Sequence, residues 1–347
     1  MLDDQNYVQN IDPEDALGLA AAQWEQLEHQ FDIPELSEPK NIVFAGMGGS
    51  ALAALISVTW PGYKVPFEVI RDYQLPRYVD SDTLAVISSY SGNTEEAVSC
   101  LEDALHKGAQ TVVVDGGGRL MDLAREKGLL NVELPKASQP RYAVMYALKA
   151  LVVLLERAGQ VSEESAEAAL HEAAEFLKES ITAWVPGVAT ADNTAKQLAQ
   201  EMIGSSPVIY AGPVLAPAAY KWKISFNENA KNIAWWGQYP EFNHNEFMGW
   251  TSHPVNKPYE VIDLRSSFDH ERIQRRFELS DRLLSGKRPK AHVVNAQGDT
   301  MLQQLLWTIV YGDFVSLYTA ILNGVNPTPV HLIEKFKKEL NTQTSQQ

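Results

Sequence analysis

Short β-branched runs that stop at glycine alternate along this chain with segments whose apolar residues recur every three or four positions. NIVFAG at 41–46 is the first such run, and the helix-patterned SALAALISVTW follows it at 50–60. FEVIRD (67–72), TLAVISSY (83–90), TVVVDG (111–116) and NVELP (131–135) read as further strands. Helices are predicted over 94–108 and 119–128, each ending at glycine. A short β-branched run that stops at glycine, as NIVFAG does, suits a strand buried on both faces. A helix is also predicted ahead of them, over 13–31, with Pro13 and acidic residues at its start. Strand and helix alternate, so a parallel sheet covered on both sides is expected.

The pattern then recurs. Two long helical pieces span 142–182 and break near Gly159. A helix over 190–204, the strand PVIYAG (207–212) and a helix over 216–230 follow. The strand YEVIDL (259–264), a helix over 272–286 and the strand KAHVVNAQG (290–298) complete the repeat, with helices over 300–322 and 328–340 behind it. The halves, divided as 1–158 and 159–347, read as two related α/β units, a repeat of architecture more than of sequence.

Composition sharpens this. The length of 347 residues suits two domains, and 45% apolar with 21% charged residues is ordinary globular usage. The 29 basic against 44 acidic residues leave a net charge of −15, which argues against nucleic acid or an anionic membrane as partner. The longest apolar run, 143–156, is interrupted by Lys149 and is too short for a membrane helix. The acidic, polar N-terminus does not read as a secretory signal. One cysteine, Cys100, excludes a disulfide framework within the chain and suits a reduced, cytoplasmic protein. It lies in an amphipathic helical pattern and reads as a buried structural thiol. The eight tryptophans are expected in cores and interfaces. His244 and His253 have no recognised metal-ligand spacing, so neither a metal nor a cofactor is expected.

Two segments carry candidate chemistry. GMGGSA (46–51) lies between a strand and a helix, where Gly48, Gly49 and Ser50 can bring backbone N–H groups close to an anion. It is neither the G-x-G-x-x-G dinucleotide pattern nor a Walker loop. SSYSGNTEEA (88–97) sets the hydroxyls of Ser89, Ser91 and Thr94 around Gly92 at the next strand-to-helix turn. Thr94 can cap the helix. Capping leaves Ser89, Ser91 and Asn93 unexplained, whereas a bound phosphate accounts for the cluster without net positive charge.

GMGGSA followed by SSYSGNTEE resembles the sugar isomerase (SIS) domain, a flavodoxin-like unit that binds phosphosugars. The expected fold is therefore α/β, with two SIS subdomains, each a parallel sheet flanked by helices in three layers. FNENAK (226–231), PEFNHNE (240–246) and QPRY (139–142) resemble the bifunctional phosphoglucose/phosphomannose isomerases, and the resemblance covers nearly the whole chain. It implies a metal-independent aldose–ketose isomerisation of 6-phosphosugars through a cis-enediolate. Glu228 would be the base that moves the proton between C2 and C1. His244 would open the ring from the neighbouring subunit, which implies a homodimer. Glu241 and Glu246 flank it, and either could orient its ring. Arg141 would steady the enediolate. A lysine of the last helix would assist ring opening. Lys335, seven residues after Thr328, is the expected one, and Lys337 is the alternative register. Thr328 is what the resemblance links to accepting mannose 6-phosphate. The chain departs from the family pattern at Asp115, which precedes three glycines, and at the pair Trp235 and Trp236.

A phosphosugar sensor without turnover would need the same phosphate loops, and fold alone does not separate sensor from enzyme. Glu228, His244 and Arg141 favour the enzyme, since a sensor needs no acid–base set. No basic DNA-binding segment is visible in the sequence.

Overall fold

The computed structural model describes residues 1–161, 165–252 and 258–344. Five strands form the first sheet: β1 (Asn41–Ala45), β2 (Phe67–Ile70), β3 (Thr83–Ser89), β4 (Gln110–Asp115) and β5 (Leu130–Glu133). They pair in the order β2-β1-β3-β4-β5, all parallel. Every residue of the central strand β3 is buried, as continuous apolar runs require when both faces are covered. Side chains alternate across the sheet. Val43, Ala45, Ala85, Ile87 and Val113 pack under Glu95–His106 and Gly118–Lys127, while Ile42, Phe44, Leu84, Val86 and Val114 face the main core.

The second sheet holds β6 (Ser206–Ala211), β7 (Trp235–Gln238), β8 (Tyr259–Arg265) and β9 (His292–Asn295), parallel in the order β7-β6-β8-β9. The fold is thus α/β with two parallel sheets flanked by helices. Val208, Tyr210 and Val261 join Tyr239, Phe242 and Phe277 in an aromatic cluster on one face, and Ile209, Ala211, Ile262 and Leu264 face the main core.

That core is continuous across residue 158. It joins Leu148 and Leu151 of Val144–Arg157 to Leu170 of Ala166–Ile181, Trp222 of Ala216–Glu228 and Phe314 of Met301–Leu322. The first helices of the chain also pack against helices of the second half. Met301–Leu322 is 22 residues long, and its most apolar 18-residue stretch has a mean hydropathy of 1.5, enough by length and composition to cross a membrane, yet 89% of that stretch is buried inside the protein. Its Asp313 accepts hydrogen bonds from Ser225 at 2.7 Å and Gln23 at 3.0 Å and pairs with Lys221, so this buried carboxylate is matched within the core.

Several elements differ from expectation, among them an unexpected helix, Glu246–Ser252. The helix predicted over 13–31 is two helices, Ala16–Ala21 and Gln23–Glu28, separated at Ala22. A further helix, Gln5–Ile11, precedes them. Between these pieces the buried Asp12 carboxylate accepts from the Ala16 and Leu17 N–H groups, a cap that reaches forward from outside the helix. Strand β7 is absent from the elements that the pattern predicts. It is an edge strand whose Trp235 is 53% exposed, so its sequence carries no buried-strand signal.

Candidate active site

Both phosphate-loop candidates stand at the C-terminal ends of adjacent strands, where open α/β sheets present their ligand crevice. After β1 the chain turns at Gly48 with φ +51°, and the helix Gly48–Thr59 begins. A side chain on Gly49 would lie 3.3 Å from the Pro140 carbonyl, so the glycine lets the 139–142 segment close over the turn. Ser50 Oγ is buried and accepts from the Tyr90 N–H at 3.2 Å, tying this turn to the next loop. In that loop Gly92 has φ +65°, and a Cβ there would overlap the Gly117 carbonyl at 1.6 Å. Only glycine fits.

Ser89 Oγ lies 2.8 Å from Thr94 Oγ1 and 3.4 Å from Ser91 Oγ. Thr94 occupies the N-cap position of Glu95–His106, but its hydroxyl makes no capping bond. It turns toward Ser89 instead. Three hydroxyls and the start of a helix therefore converge, and the helix N–H groups add partial positive charge. The Asp115 departure has a structural role behind this loop. Its Oδ1 accepts from Gly117 N–H at 2.7 Å and shapes the 115–118 turn. That turn donates from Gly116 to the Tyr90 carbonyl (3.1 Å), and Leu120 N–H donates to the Gly92 carbonyl (2.9 Å). Burial pushes the Asp115 carboxyl up to about 6.

Arg141 stands in the short turn Pro140–Tyr142, whose backbone lies against Gly49. It is 1% exposed, not the surface residue that helix-start arginines commonly are. Nε donates to Asn229 Oδ1 (2.7 Å), Nη1 to Glu228 Oε2 (3.1 Å), and Nη2 to the carbonyls of Pro327 (2.9 Å) and Thr328 (2.8 Å). Glu228 closes the helix Ala216–Glu228, and its side chain keeps 28% exposure. A cavity of about 430 Å³ is lined by Gly48, Gly49 and Ser50, by Ser89, Ser91 and Thr94, and by Arg141 and Glu228. Val330, Ile333, Glu334 and Lys337, around the start of the helix His331–Thr344, line it as well.

Three candidates stand apart from this group. Lys335 is exposed, pairs with Glu339 at 3.7 Å and does not line the cavity, whereas Lys337, two residues further along the helix, does. The Thr328 side chain is buried, and its Oγ1 has no hydrogen-bond partner among the described residues; its carbonyl meets Arg141. His244 ends the turn Glu241–His244, exposed and outside the lining of its own chain's cavity. The two carboxylates that could orient it are engaged elsewhere. Glu246 accepts from the Tyr210 hydroxyl at 3.2 Å, and Glu241 accepts from Asn245 Nδ2 at 2.6 Å.

Sequence reasoning passed over Asn229 and Lys231, although both lie in FNENAK. Asn229 is fully buried, accepts from Arg141 and Tyr142, and donates to Ser316 Oγ at 2.9 Å. Among the described residues, no three His, Cys, Asp or Glu side chains come together as a metal site, and His253 lies outside the described residues. Cys100 is buried, donates to the Asp72 carbonyl at 3.2 Å, and is pushed up to about 12 by burial, so it is no nucleophile at neutral pH.

Residues 191–340 match the family described as the bacterial phospho-glucose isomerase C-terminal SIS domain. The bifunctional phosphoglucose/phosphomannose isomerase of Aquifex aeolicus is 33% identical over 320 residues, covering 91% of this chain and 95% of its own. The chain belongs to the bifunctional phosphoglucose/phosphomannose isomerase family. Its relative of the same name from Caldicellulosiruptor bescii is 34% identical over 304 residues, covering 86% of this chain and 89% of its own. A glucose-6-phosphate isomerase like protein from Thermus thermophilus superposes with a TM-score of 0.65 over 95% of this chain and 98% of its own. At 20% identity that likeness shows a shared fold.

Proposed function

We propose that the protein interconverts glucose 6-phosphate and mannose 6-phosphate with fructose 6-phosphate by proton transfer through a cis-enediolate. The observation that carries this is the placement of Glu228 and Arg141, 3.1 Å apart, in the lining of the same cavity as the hydroxyl cluster of Ser89, Ser91 and Thr94. The phosphate would sit on those hydroxyls and on the N–H of Gly49, since the Ser50 N–H already donates to the Met47 carbonyl at 3.0 Å; such a cradle supports binding of a dianion by a protein of net charge −15. The sugar would then reach toward Glu228.

His244 of a second copy and a lysine of the last helix would open the ring. The cavity lining favours Lys337 for that task. The Glu228 carboxylate would take the proton from C2, leaving an enediolate whose negative charge faces the Arg141 guanidinium. The same carboxyl would return the proton to C1. Net, one C–H bond is broken and one formed, and the hydroxyl proton is relocated, with no redox partner. Serving both epimers requires rotation about C2–C3 to present either face to one carboxylate. The resemblance assigns room for that rotation to Thr328, whose side chain is buried outside the cavity lining and would act from behind it. The single buried thiol fits a cytoplasmic enzyme.

A coupled assay offering each aldose phosphate separately, with chelator present, tests this. Formation of fructose 6-phosphate from both, lost in Glu228→Gln, is expected. Phosphosugar binding without turnover would overturn the enzyme reading in favour of a sensor.

A further inference from the structure

Lys231 has no role in the scheme above. It lies three residues beyond Glu228 with φ +52°, a left-handed backbone that a lysine adopts only when its surroundings require it. The residue as a whole is exposed, yet its ammonium turns inward. It donates to the Glu228 carbonyl at 2.6 Å and to the Pro327 carbonyl at 3.0 Å. The Pro327 carbonyl is the same one that Arg141 holds at 2.9 Å.

That carbonyl lies at the root of the C-terminal helix. Residues 323–330 lead from Met301–Leu322 to His331–Thr344. Pro327 and Pro329 have no N–H, so this stretch cannot be fixed by a regular ladder of backbone bonds. The helix beyond is exposed from residue 331 to residue 340, with Leu332 at 81% and Phe336 at 64%. Its attachment at the root therefore governs where Ile333 and Lys337 stand in the cavity wall. Arg141 braces the root from the 140–142 turn. Lys231 braces it from the end of the helix that carries Glu228, where unsatisfied carbonyls attract a cation.

We infer that Lys231 is a positioning residue for the isomerisation: its ammonium staples the root of the C-terminal helix to the backbone of Glu228 and so sets Lys337 against the base. This rests on the function proposed above. The charged groups facing Lys231 are Arg141 and Glu228, and His331 shares the neighbouring cavity with it. Burial of the ammonium, then the Arg141 charge, pushes Lys231 down to about 8, against the pull of Glu228. The staple is thus charged at neutral pH and loses its charge within an assayable range.

The test compares full-length wild type, Lys231→Arg and Lys231→Met for kcat and KM across pH 6 to 10. Lys231→Met should lower kcat about tenfold at pH 7 while KM moves less than about twofold, as loss of positioning does. The alkaline fall of wild-type kcat should shift to higher pH in Lys231→Arg, which keeps its charge. An unshifted alkaline limb in Lys231→Arg overturns the staple, and this variant decides the matter if Lys231→Met does not fold. Hydrogen exchange of residues 331–344, corrected for intrinsic rates, reads the staple without turnover. Protection should fall above pH 8 in wild type but not in Lys231→Arg; equal protection overturns it. Glu228→Gln in the same series separates the two ideas. Turnover that needs Glu228 but ignores Lys231 removes only the staple, and a wild type without turnover removes the isomerase reading.

Discussion

Arg141 and Glu228 meet at 3.1 Å, but the guanidinium is 1% exposed and the carboxylate 28%. One partner is locked and the other faces the cavity. Arg141 commits its fork to Asn229, Glu228 and two carbonyls of the C-terminal root, which fixes its plane. A lysine carries the same charge without that fork. Arg141→Lys should therefore lower kcat about 100-fold, the scale of losing one preorganised donor to developing oxyanion charge. Melting temperature should fall too, because buried carbonyls lose partners. A kcat within a factor of two would show that the charge alone suffices or that no enediolate forms there.

Thr94 offers a test of the proposed phosphate binding against helix capping. Its hydroxyl faces Ser89 at 2.8 Å and makes no cap bond. Thr94→Ala should raise KM, and the inhibition constant of inorganic phosphate, about tenfold, as loss of one charge-assisted hydrogen bond does. The melting temperature should hardly move, whereas loss of a true cap costs about 1 kcal/mol. Destabilisation with unchanged KM would return Thr94 to a capping role.

Much of this was legible in the sequence, and the reasons differ by element. β3 is buried on both faces, so its middle, Leu84–Ile87, is apolar without alternation and announces a strand. β7 is an edge strand bearing two exposed tryptophans, and its pairing with β6 is decided by tertiary contact that no local pattern encodes. The two glycine turns after β1 and β3 were legible because positive φ at Gly48 and Gly92 demands glycine. The long-range bonds of Arg141 to Asn229 and Pro327 were not, because they span 88 and 186 residues. Spacing from Thr328 points to Lys335, whereas the cavity wall holds Lys337. Two prolines precede the helix that starts at His331, and counting along the chain does not carry a helical register through them.

Lys337 and Lys335 can be told apart directly. Lys337→Met should lower kcat by about tenfold or more, the usual scale of an acid–base group. Lys335→Met should lose only an exposed ion pair, worth less than about 1 kcal/mol and nothing in rate. The reverse ranking would move the C-terminal helix by one register.

His244 lies outside its own chain's cavity, so the proposed dimer has a genetic signature. His244→Ala and Glu228→Gln should each be inactive alone. Mixed after dissociation, random pairing gives half heterodimers with one intact site in two, about a quarter of wild-type activity. No recovery on mixing would place both residues in one chain's site.

Asp115 gives a pH dependence of stability. Its carboxyl titrates near 3.8 when unfolded and at about 6 when folded. Between those values the folded state holds the extra proton, so stability falls as pH rises through the window. Above about 6 the full cost of a buried charge is present. Asparagine keeps an acceptor for Gly117 N–H without that charge. Asp115→Asn should be more stable by about 1–2 kcal/mol at pH 7, with the advantage gone below about pH 4. Equal stability at both pH values would mean that Asp115 meets solvent.

The continuous core beneath both sheets has one more consequence. The change of pattern near residue 158 is a seam in the text of the sequence, and heat or denaturant finds no seam there. Leu148, Leu170, Trp222 and Phe314 share a single interior, so either half expressed alone would present to water the face it buries against the other. The two halves should melt together, in one transition, and a chain cut at the seam should aggregate and not divide.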